Sequence, residues 1–416
     1  MKRAPYKTIW LSLPSKRYPI YCYTSSGWDQ LASLPRQYPH SRLFLITDHV
    51  LARIYKNELK TLLATSRTAA LDHQTNHPKN RPWSLITFPA GEHSKSHAVK
   101  LMLEEKLFKA RCSRNDIIIA LGGGVVGDLA GFVAATFMRG IKYISMPTTL
   151  VAMTDAAIGG KTGIDTPFGK NLIGAFHHPE AIYIHLPFLA TLPHIEYLGG
   201  FAEIIKHALI RNVTLYKMLT THIKSFEVSP LHNKRPMTAT ESVTASATGL
   251  FFKLLTESIL IKVRVVIHDP LETAYRRILN FGHTIGHGIE ILSDYKINHG
   301  NAVAIGCVFE AWLSYRLKYL PAEHFENIFS LIKNMHLPVT FPIAIKAPAL
   351  YNACTRDKKN ERKTASLTTT DTIKFVPLKK IGSVFAAKGT YLVSVEKAFF
   401  IKAFKDFQKW TDQHRH

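Results

Sequence analysis

The most informative residues in this chain are two histidines, His283 and His287, in the string NFGHTIGH. A spacing of four places both imidazoles on one face of a helix. A third histidine, His299, follows in NHG, and Glu203 lies far upstream in a helical pattern. Three nitrogen or oxygen ligands that leave one position open are what a catalytic Zn²⁺ requires. The chain has 21 histidines, so the pair alone also fits two histidines with satisfied hydrogen bonds in a helical core.

A glycine-rich string, LGGGVVGD at 121–128, joins two apolar runs. Glycines between a strand and a helix let backbone N–H groups approach a phosphate, and the helix N-terminus adds a favourable dipole. The spacing differs from the G-x-G-x-x-G fingerprint, so a purely structural turn fits equally well. Polar residues at the ends of neighbouring predicted strands favour a dinucleotide site, because open α/β sheets bind ligands there. These residues are Asp48, Glu92, Lys95, Thr148 and Thr149.

Several cations lie in apolar or glycine-rich surroundings, where a buried charge is costly unless an anion compensates it. Each of them alone fits a surface side chain whose charged end reaches solvent. Together, beside a metal site and a dinucleotide site, they predict a substrate that carries phosphate and carboxylate groups. The full set comprises Arg139, Lys161, Lys170, Lys206, Lys262, Arg276, Lys358 and Lys359, of which Arg139, Lys161 and Lys206 are clear examples of such surroundings.

These residues must be positioned by two kinds of elements. Short β-branched runs alternate with helical patterns in the first half, which predicts βαβ units and a mostly parallel sheet. After about residue 188 helical patterns dominate. We therefore predict an α/β fold with a Rossmann-like, parallel-sheet domain at 1–187 and a mostly α-helical domain at 188–416. The predicted strands are 43–46, 84–88, 117–120, 143–146 and 181–184, and the predicted helices are 202–210, 250–266, 284–292 and 302–317.

The composition is that of an ordinary globular protein, with 46% hydrophobic and 20% charged residues. It excludes a disordered or collagen-like chain. Four separated cysteines without a CxxC pair argue against a disulfide framework and indicate a reducing compartment. The apolar stretch 117–138 contains five glycines, which fit a buried strand, turn and helix better than a membrane span. We expect a cytoplasmic protein without a membrane partner, in which the polar stretches 65–82 and 228–247 are surface loops or insertions.

The basic charge is the main reason to consider another class of function. With 53 Lys and Arg against 30 Asp and Glu, the formal charge is +23. Such a charge is typical of nucleic-acid-binding proteins. RRM, KH and zinc-finger signatures are absent from the sequence, and the basic residues are scattered along it. An acidic small-molecule substrate explains the charge equally well, so we expect no nucleic-acid partner.

Long strings of the sequence resemble the 3-dehydroquinate synthase family of sugar phosphate cyclases. They are ALGGGVVGDLAGFVAATFMRG (120–140), PTTLVAMTDAAIGGKTGIDTPFGKNLIGAFHHP (147–179), FAEIIK (201–206), RRILNFGHTIGHGIE (276–290), NHGNAVAIG (298–306) and DKKN (357–360). The resemblance implies a lyase of the shikimate pathway, which leads to chorismate and the aromatic amino acids. Its substrate would be 3-deoxy-D-arabino-heptulosonate 7-phosphate and its products 3-dehydroquinate and phosphate. It further implies that the domain at 1–187 binds NAD, that the domain at 188–416 binds the substrate and one Zn²⁺ or Co²⁺ ion, and that the protein is a homodimer.

The resemblance also assigns roles to individual positions. It implies metal ligands at Glu203, His283 and His299, an acid/base carboxylate at Glu272, and a catalytic group beside the metal at His287. Further catalytic roles fall on Lys161, Asn280 and Arg139, of which Arg139 would reach the substrate phosphate from the other subunit. NAD contacts fall on Asp48, Glu92, Lys95, Gly123, Gly124, Asp128, Thr148, Thr149, Lys170 and Thr191. Substrate contacts fall on Asp155, Lys161, Asn171, Lys206, Lys262, Arg276, Asn280, His287 and one of Lys358 or Lys359.

Five positions depart from the family pattern, and none of them is an implied ligand or acid/base group. Val50 and Gly199 each stand where the family has asparagine, and Ile195 stands where it has arginine. Pro270 and Asn301 each stand where the family has an acidic residue. Residues around a metal site tune its affinity, so these departures bear on rate and metal preference more than on the class of reaction.

Three alternatives stay open on the sequence alone. Other sugar phosphate cyclases use the same NAD and metal chemistry on different phosphates. Metal-dependent glycerol or alcohol dehydrogenases would show net turnover of NAD. A basic binding protein would keep the fold without the activity and would bind nucleic acid with a strong dependence on salt.

Overall fold

A computed structural model describes residues 5–68, 83–227, 247–355, 372–387 and 389–414. The chain divides into two compact units, Met1–Leu192 and Pro193–His416, whereas the sequence predicts a boundary at 187/188. Lys358 and Lys359 lie outside the described residues, as does most of the two polar stretches.

The first unit alternates strands and helices. Its elements are β1 (Lys7–Ser12), β2 (Arg17–Tyr23), α1 (Trp28–Gln37), β3 (Leu43–Asp48), α2 (His49–Ile54), α3 (Lys56–Thr68), β4 (Trp83–Phe88), α4 (His97–Lys109), β5 (Ile117–Gly122), α5 (Gly124–Thr136), β6 (Lys142–Pro147), β7 (Lys161–Thr166), β8 (Gly169–Phe176) and β9 (Ile182–His185). The predicted loop 65–82 therefore begins inside a helix, because α3 continues to Thr68.

Among the described residues, seven strands of this unit form one sheet in the order β1-β2-β9-β6-β5-β3-β4. All neighbouring strands are parallel except β1 and β2, which form an antiparallel hairpin. Every residue of the interior strand β5 (IIIALG) is buried, as expected for a parallel strand covered on both faces. The apolar side of α5, including Leu129 and Val133, packs with residues of β5 such as Ile118 in one core. The predicted α/β class with a parallel sheet is confirmed.

Two hairpins were not among the predicted strands. In the β1–β2 hairpin, Ile9 and Leu11 are buried while Trp10 between them is exposed, the alternation expected of a strand with one covered face. The β7–β8 hairpin forms a separate two-stranded sheet, and Phe168 at its turn is 87% exposed.

The second unit is mostly helical, as predicted. Its elements are α6 (His194–Arg211), α7 (Val213–Thr221), α8 (Ala247–His268), α9 (His283–Leu292), α10 (His299–Arg316), α11 (Ala322–Asn334), α12 (Ala347–Thr355), β10 (Ile373–Phe375), β11 (Leu378–Lys380), β12 (Ser383–Val384), β13 (Val393–Val395) and α13 (Lys397–Gln413). The four short strands pair as β10 with β13 and β11 with β12. Within the described ranges, no helix is both long and apolar enough to span a bilayer.

Helix α10 approaches both α6 and α9 closely because glycines line the contacts. A methyl group on Gly300 would lie 2.2 Å from the carbonyl oxygen of Gly199 in α6. A methyl group on Gly306 would lie 1.9 Å from the carbonyl oxygen of Gly282, the residue before α9. These backbones are thus in contact, and the helices cannot accept a larger residue at either point without moving apart.

The contact between α6 and α10 yields a matched pair of substitutions. Gly300→Ala places its new methyl group against backbone, and we expect it to lower the free energy of unfolding by about 1–3 kcal/mol. Gly199→Ala, from the other side of the same contact, meets atoms only at 3.5 Å or more and should be tolerated. Urea unfolding of both variants checks this prediction. Equal stability of the two variants would contradict it.

Candidate functional site

Three predicted metal ligands converge in the second unit. Glu203 lies inside α6, whereas His283 and His299 are the first residues of α9 and α10. Oε1 of Glu203 lies 3.3 Å from Nε2 of His283 and 3.2 Å from Nε2 of His299. One ligand atom from each residue lies within 4.8 Å of the other two.

The separations within this donor set fit the tetrahedral coordination that Zn²⁺ adopts. Ligands with bonds of about 2.0–2.1 Å in a tetrahedral arrangement lie about 3.3 Å apart, and the observed separations are 3.2 and 3.3 Å. Two imidazoles and one carboxylate also leave one position open, as a catalytic site does. Nδ1 of His283 contacts the carbonyl oxygen of Phe281 at 3.2 Å, so a proton on Nδ1 would leave Nε2 available to a metal.

The cluster compensates a buried charge. Glu203 is fully buried and forms an ion pair with Lys206, which lies one turn further along α6 and is itself 1% exposed. Burial alone lowers the pKa of His299, but the carboxylates of Glu290 and Glu203 outweigh it and raise the pKa to about 10. Lys206 and the imidazole of His299 therefore both face the carboxylate of Glu203.

His287 lies one turn after His283 on the same helix. Its ring centre is 5.5 Å from that of His283 and 6.4 Å from that of His299. It is half-buried and is not one of the three converging ligands. This arrangement leaves it beside the candidate metal position as a polar group with some access to solvent.

A tight loop before α9 brings three other predicted residues together. Nδ2 of Asn280 donates to Oε1 of Glu272 at 2.8 Å, and Glu272 has a left-handed backbone with φ of 60°. Arg276 is 1% exposed and donates from its guanidinium to the carbonyl oxygen of Pro270 at 2.6 Å. Because this acceptor is a backbone oxygen, the departure at Pro270 does not remove it.

Asp269 organises this loop and was missed by sequence reasoning. Its carboxylate accepts hydrogen bonds from the backbone N–H groups of Thr273, Ala274 and Arg276 at 2.8–2.9 Å. Burial alone raises the pKa of Asp269, but these hydrogen bonds outweigh it and lower the pKa to about 2. The signal that could have identified it is the dipeptide Asp269-Pro270, because Asp-Pro favours the start of a turn and an Asp side chain can accept from the backbone that follows it.

Two predicted substrate cations of this unit are buried on different helices. Lys206 is buried on α6, and Lys262 is 5% exposed on α8.

Two other departures from the family pattern also lie in this unit. Ile195 is exposed in the first turn of α6. The backbone N–H of Asn301 donates to the side chain of Asn298, which caps α10.

In the first unit, the predicted glycine turn joins β5 to α5. Gly123 is the N-cap of α5 and Gly124 is its first residue, and no side chain caps this N-terminus. The backbone N–H of Thr148 donates to the carbonyl oxygen of Gly122, so the end of β6 lies beside the turn. The hydroxyl of Thr149 accepts from the N–H of Ala152. An N-terminus without a side-chain cap suits a phosphate.

A network of charged side chains lies near the start of α5. Nζ of Lys95 is 2.6 Å from Oδ2 of Asp128 and also contacts Oδ1 of Asn171. Nζ of Lys170 is 3.0 Å from Oε1 of Glu92. Lys95 is nearly completely buried; burial alone lowers its pKa, but the carboxylates of Asp128 and Glu92 outweigh it and raise the pKa. The structure therefore brings five predicted residues of this unit into one polar network, in which two ion pairs influence each other electrostatically and the amide of Asn171 contacts Lys95.

Other predicted residues lie outside this network. The carboxylate of Asp48 caps α2 by accepting from the N–H groups of Val50 and Leu51, so the departure at Val50 leaves this backbone contact intact. The hydroxyl of Thr191 is 2.7 Å from that of Tyr55. Asp155 lies in a π-helical turn, and Lys161 and Arg139 are exposed. The backbone at Arg139 is left-handed, with φ of 69°.

The pKa of Asp269 leads to a prediction about acid stability. The unfolded carboxyl has a pKa of about 3.9, so its stabilising contribution is complete at neutral pH and is lost as the pH falls towards 2. We expect Asp269→Asn to lower the free energy of unfolding at pH 7 by on the order of 1–2 kcal/mol. The difference from the parent should shrink between pH 4 and pH 2. Urea unfolding at several pH values checks this, with exposed Asp294→Asn as control; an unchanged difference would contradict it.

Comparison with solved structures shows which fold this is. A crystal structure of 2-deoxy-scyllo-inosose synthase with carbaglucose-6-phosphate, NAD⁺ and Co²⁺ matches with a TM-score of 0.76 and 21% identity, over 96% of this chain and 100% of that one. A 2-epi-5-epi-valiolone synthase from Streptomyces hygroscopicus, with NAD⁺ and Zn²⁺ bound, matches with a TM-score of 0.74 and 22% identity, over 96% and 98%. The chain thus has the fold of these cyclases.

Comparison of sequences is more specific. The family models described as 3-dehydroquinate synthase N-terminal and 3-dehydroquinate synthase C-terminal match residues 85–198 and 200–360. A 3-dehydroquinate synthase from Thermoanaerobacter pseudethanolicus is 38% identical over 335 residues, which are 80% of this chain and 85% of that protein. The chain belongs to the 3-dehydroquinate synthase family.

Proposed function

We propose that this chain converts 3-deoxy-D-arabino-heptulosonate 7-phosphate to 3-dehydroquinate and phosphate, as a lyase of the shikimate pathway. The observation that carries the proposal is the convergence of Glu203, His283 and His299, at 3.2–3.3 Å, in a member of this family. A carboxylate and two imidazoles gathered with one open position suit an enzyme that polarises a substrate oxygen.

The proposed cofactors are NAD and one Zn²⁺ or Co²⁺ ion. When bound, these groups would supply a reversible hydride acceptor and a Lewis acid for the alcohol that is oxidised, with no net redox change over the turnover. Glu203, His283 and His299 would hold the metal. The proposed NAD contacts are Asp48, Glu92, Lys95, Gly123, Gly124, Asp128, Thr148, Thr149, Lys170 and Thr191. The uncapped N-terminus of α5 and the buried Lys95 are the features that support them.

The cations and amides would bind the anionic groups of the substrate. Arg276 and Lys262 are buried, and buried cations are suited to anions because little water competes for them. We assign substrate contacts to Asp155, Lys161, Asn171, Lys206, Lys262, Arg276, Asn280 and His287, and to one of Lys358 or Lys359. Fixed contacts to phosphate and carboxylate would hold the substrate in one pose through successive steps.

Glu272, Asn280 and His287 would move or hold protons. The hydrogen bond from Asn280 fixes the orientation of the Glu272 carboxylate, which is the proposed acceptor of a substrate proton. His287, half-buried beside the candidate metal position, would exchange a proton with the substrate. Catalytic roles are likewise proposed for Lys161 and Arg139.

A homodimer completes the proposal, with Arg139 reaching the partner's substrate phosphate. Arg139 is exposed and follows Phe137, whose ring lies 4.7 Å from that of Phe108. Phe108 and Leu101, two turns apart on α4, are 59% and 58% exposed, and such an apolar stripe favours contact with another chain. We also propose a cytoplasmic location, which is supported by the four free, buried cysteines.

The first test is phosphate release from the heptulosonate phosphate, with NAD⁺ and Zn²⁺. We expect phosphate without net NADH, and loss of the activity after chelation. His283→Ala should lower the rate by more than about a hundredfold, beyond the effect typical of residues outside the ligand set. Exposed His336→Asn is the control and should keep full activity.

Two outcomes would contradict the proposal. Net formation of NADH from a simple polyol would indicate a dehydrogenase. Salt-dependent binding of nucleic acid without turnover would indicate a binding protein.

The dimer is tested by mixing two inactive variants, Arg139→Ala and His283→Ala. A mixed dimer holds one site with an intact metal ligand and the partner's intact arginine. Random mixing of subunits should therefore restore about one quarter of the parent activity. Absence of recovery after confirmed subunit exchange would mean that Arg139 acts within its own chain, if at all.

A further inference from the structure

Two buried glutamates near the metal ligands have no role in the chemistry proposed so far. Glu290 lies on α9 and is 2% exposed, and Glu310 lies on α10 and is fully buried. Burying a carboxylate is costly unless hydrogen bonds or cations compensate it. Each glutamate has such compensation, and in both cases it comes from the start of the opposite helix.

Glu290 contacts a metal ligand directly. Its Oε1 lies 3.4 Å from Nδ1 of His299, the first residue of α10. Nε2 of the same imidazole points to Glu203 at 3.2 Å. A proton on Nδ1 that is shared with Glu290 fixes both the tautomer and the orientation of the ring, and leaves Nε2 to face the metal position.

Glu310 holds the other histidine through the backbone. Its Oε2 accepts from the N–H of Gly282 at 2.8 Å, and its Oε1 accepts from the N–H of Ile285 at 3.3 Å. The first N–H groups of a helix have no partner within it, and a negative charge there is favourable. His283 lies between these two residues, so the carboxylate fixes the backbone from which this ligand projects.

The two contacts are reciprocal. Helix α9 carries His283 and the glutamate that orients His299, and α10 carries His299 and the glutamate that anchors the start of α9. Gly282, with φ of +80°, lies against α10, where a methyl group on it would be 2.5 Å from Sγ of Cys307. A shift of either helix along the other would therefore disturb both histidines together.

We propose that Glu290 and Glu310, the glutamate pair, are positioning residues that hold both histidine ligands in place before the metal binds. The inference rests on the proposed function only in taking Glu203, His283 and His299 as the metal ligands. It predicts that the glutamate pair determines metal affinity more than the stability of the metal-free protein, because its members are aimed at the ligands.

The test is the affinity for Zn²⁺, measured on the full chain by competition with a chromophoric chelator. Glu290→Gln keeps an acceptor for Nδ1 but removes the charge, and Glu310→Gln keeps one acceptor of two. We expect each variant to bind Zn²⁺ about 10- to 100-fold more weakly. The absorption spectrum of bound Co²⁺ should also change, which a loss of general stability would not produce. Glu326→Gln, exposed on α11, is the control and should bind as the parent does.

The outcomes separate this inference from the proposed function. A parent chain that does not bind Zn²⁺ would overturn the metal assignment itself. A parent that binds, with both variants binding equally tightly, would overturn the role of the glutamate pair and leave the lyase proposal intact. If Glu310→Gln does not fold, hydrogen exchange of the metal-free parent still tests whether Glu310 anchors the start of α9. Slow exchange at the amides of Gly282 and Ile285 supports the anchoring contact, and fast exchange overturns it.

Discussion

The carboxylate of Glu203 is fully buried in the middle of α6, where an uncompensated charge would cost several kcal/mol. The packing of the helical unit compensates this buried charge. Lys206 compensates the charge from the same helix, and α9 and α10 each begin at a histidine whose Nε2 faces Glu203. The helices approach closely enough for these contacts because glycine backbones replace side chains where α10 crosses α6 and α9. The candidate metal site is therefore also the means by which the unit accommodates a buried charge.

The fold of the first unit could be predicted where the signal is local. Strands β3, β5 and β6 are mainly apolar and almost entirely buried, as expected for strands covered on both faces, and the sequence located all three. The β1–β2 hairpin carried the weaker signal of alternation in KTIWLS and was not predicted. Strands β10 to β13 have two or three residues each and depend on tertiary pairing, which leaves almost no local pattern to detect.

The residues of the candidate site likewise differ in whether a local sequence pattern predicts their position. His283 and His287 are four residues apart, so helical periodicity alone places them together. Glu203 is 96 residues from His299, so no local spacing links the two, and it was the resemblance to a family that selected Glu203 from the candidates as a ligand. Glu290 and Glu310 do share helix faces with ligand histidines, at spacings of seven and eleven residues. What they contact, however, depends on the crossing of two helices, and periodicity within one helix does not specify the partner.

The long separation of the ligands also constrains how the site assembles during folding. His283 and His299 are close in sequence, but Glu203 is 96 residues from His299, and the helix that carries it must dock by closing a long loop. The unfolded chain thus presents a pair of imidazoles with weak affinity and no carboxylate in place. A three-ligand site exists only once α6, α9 and α10 have packed, so tight metal loading follows the folding of this unit. The metal then stabilises a structure that the chain has already formed by itself.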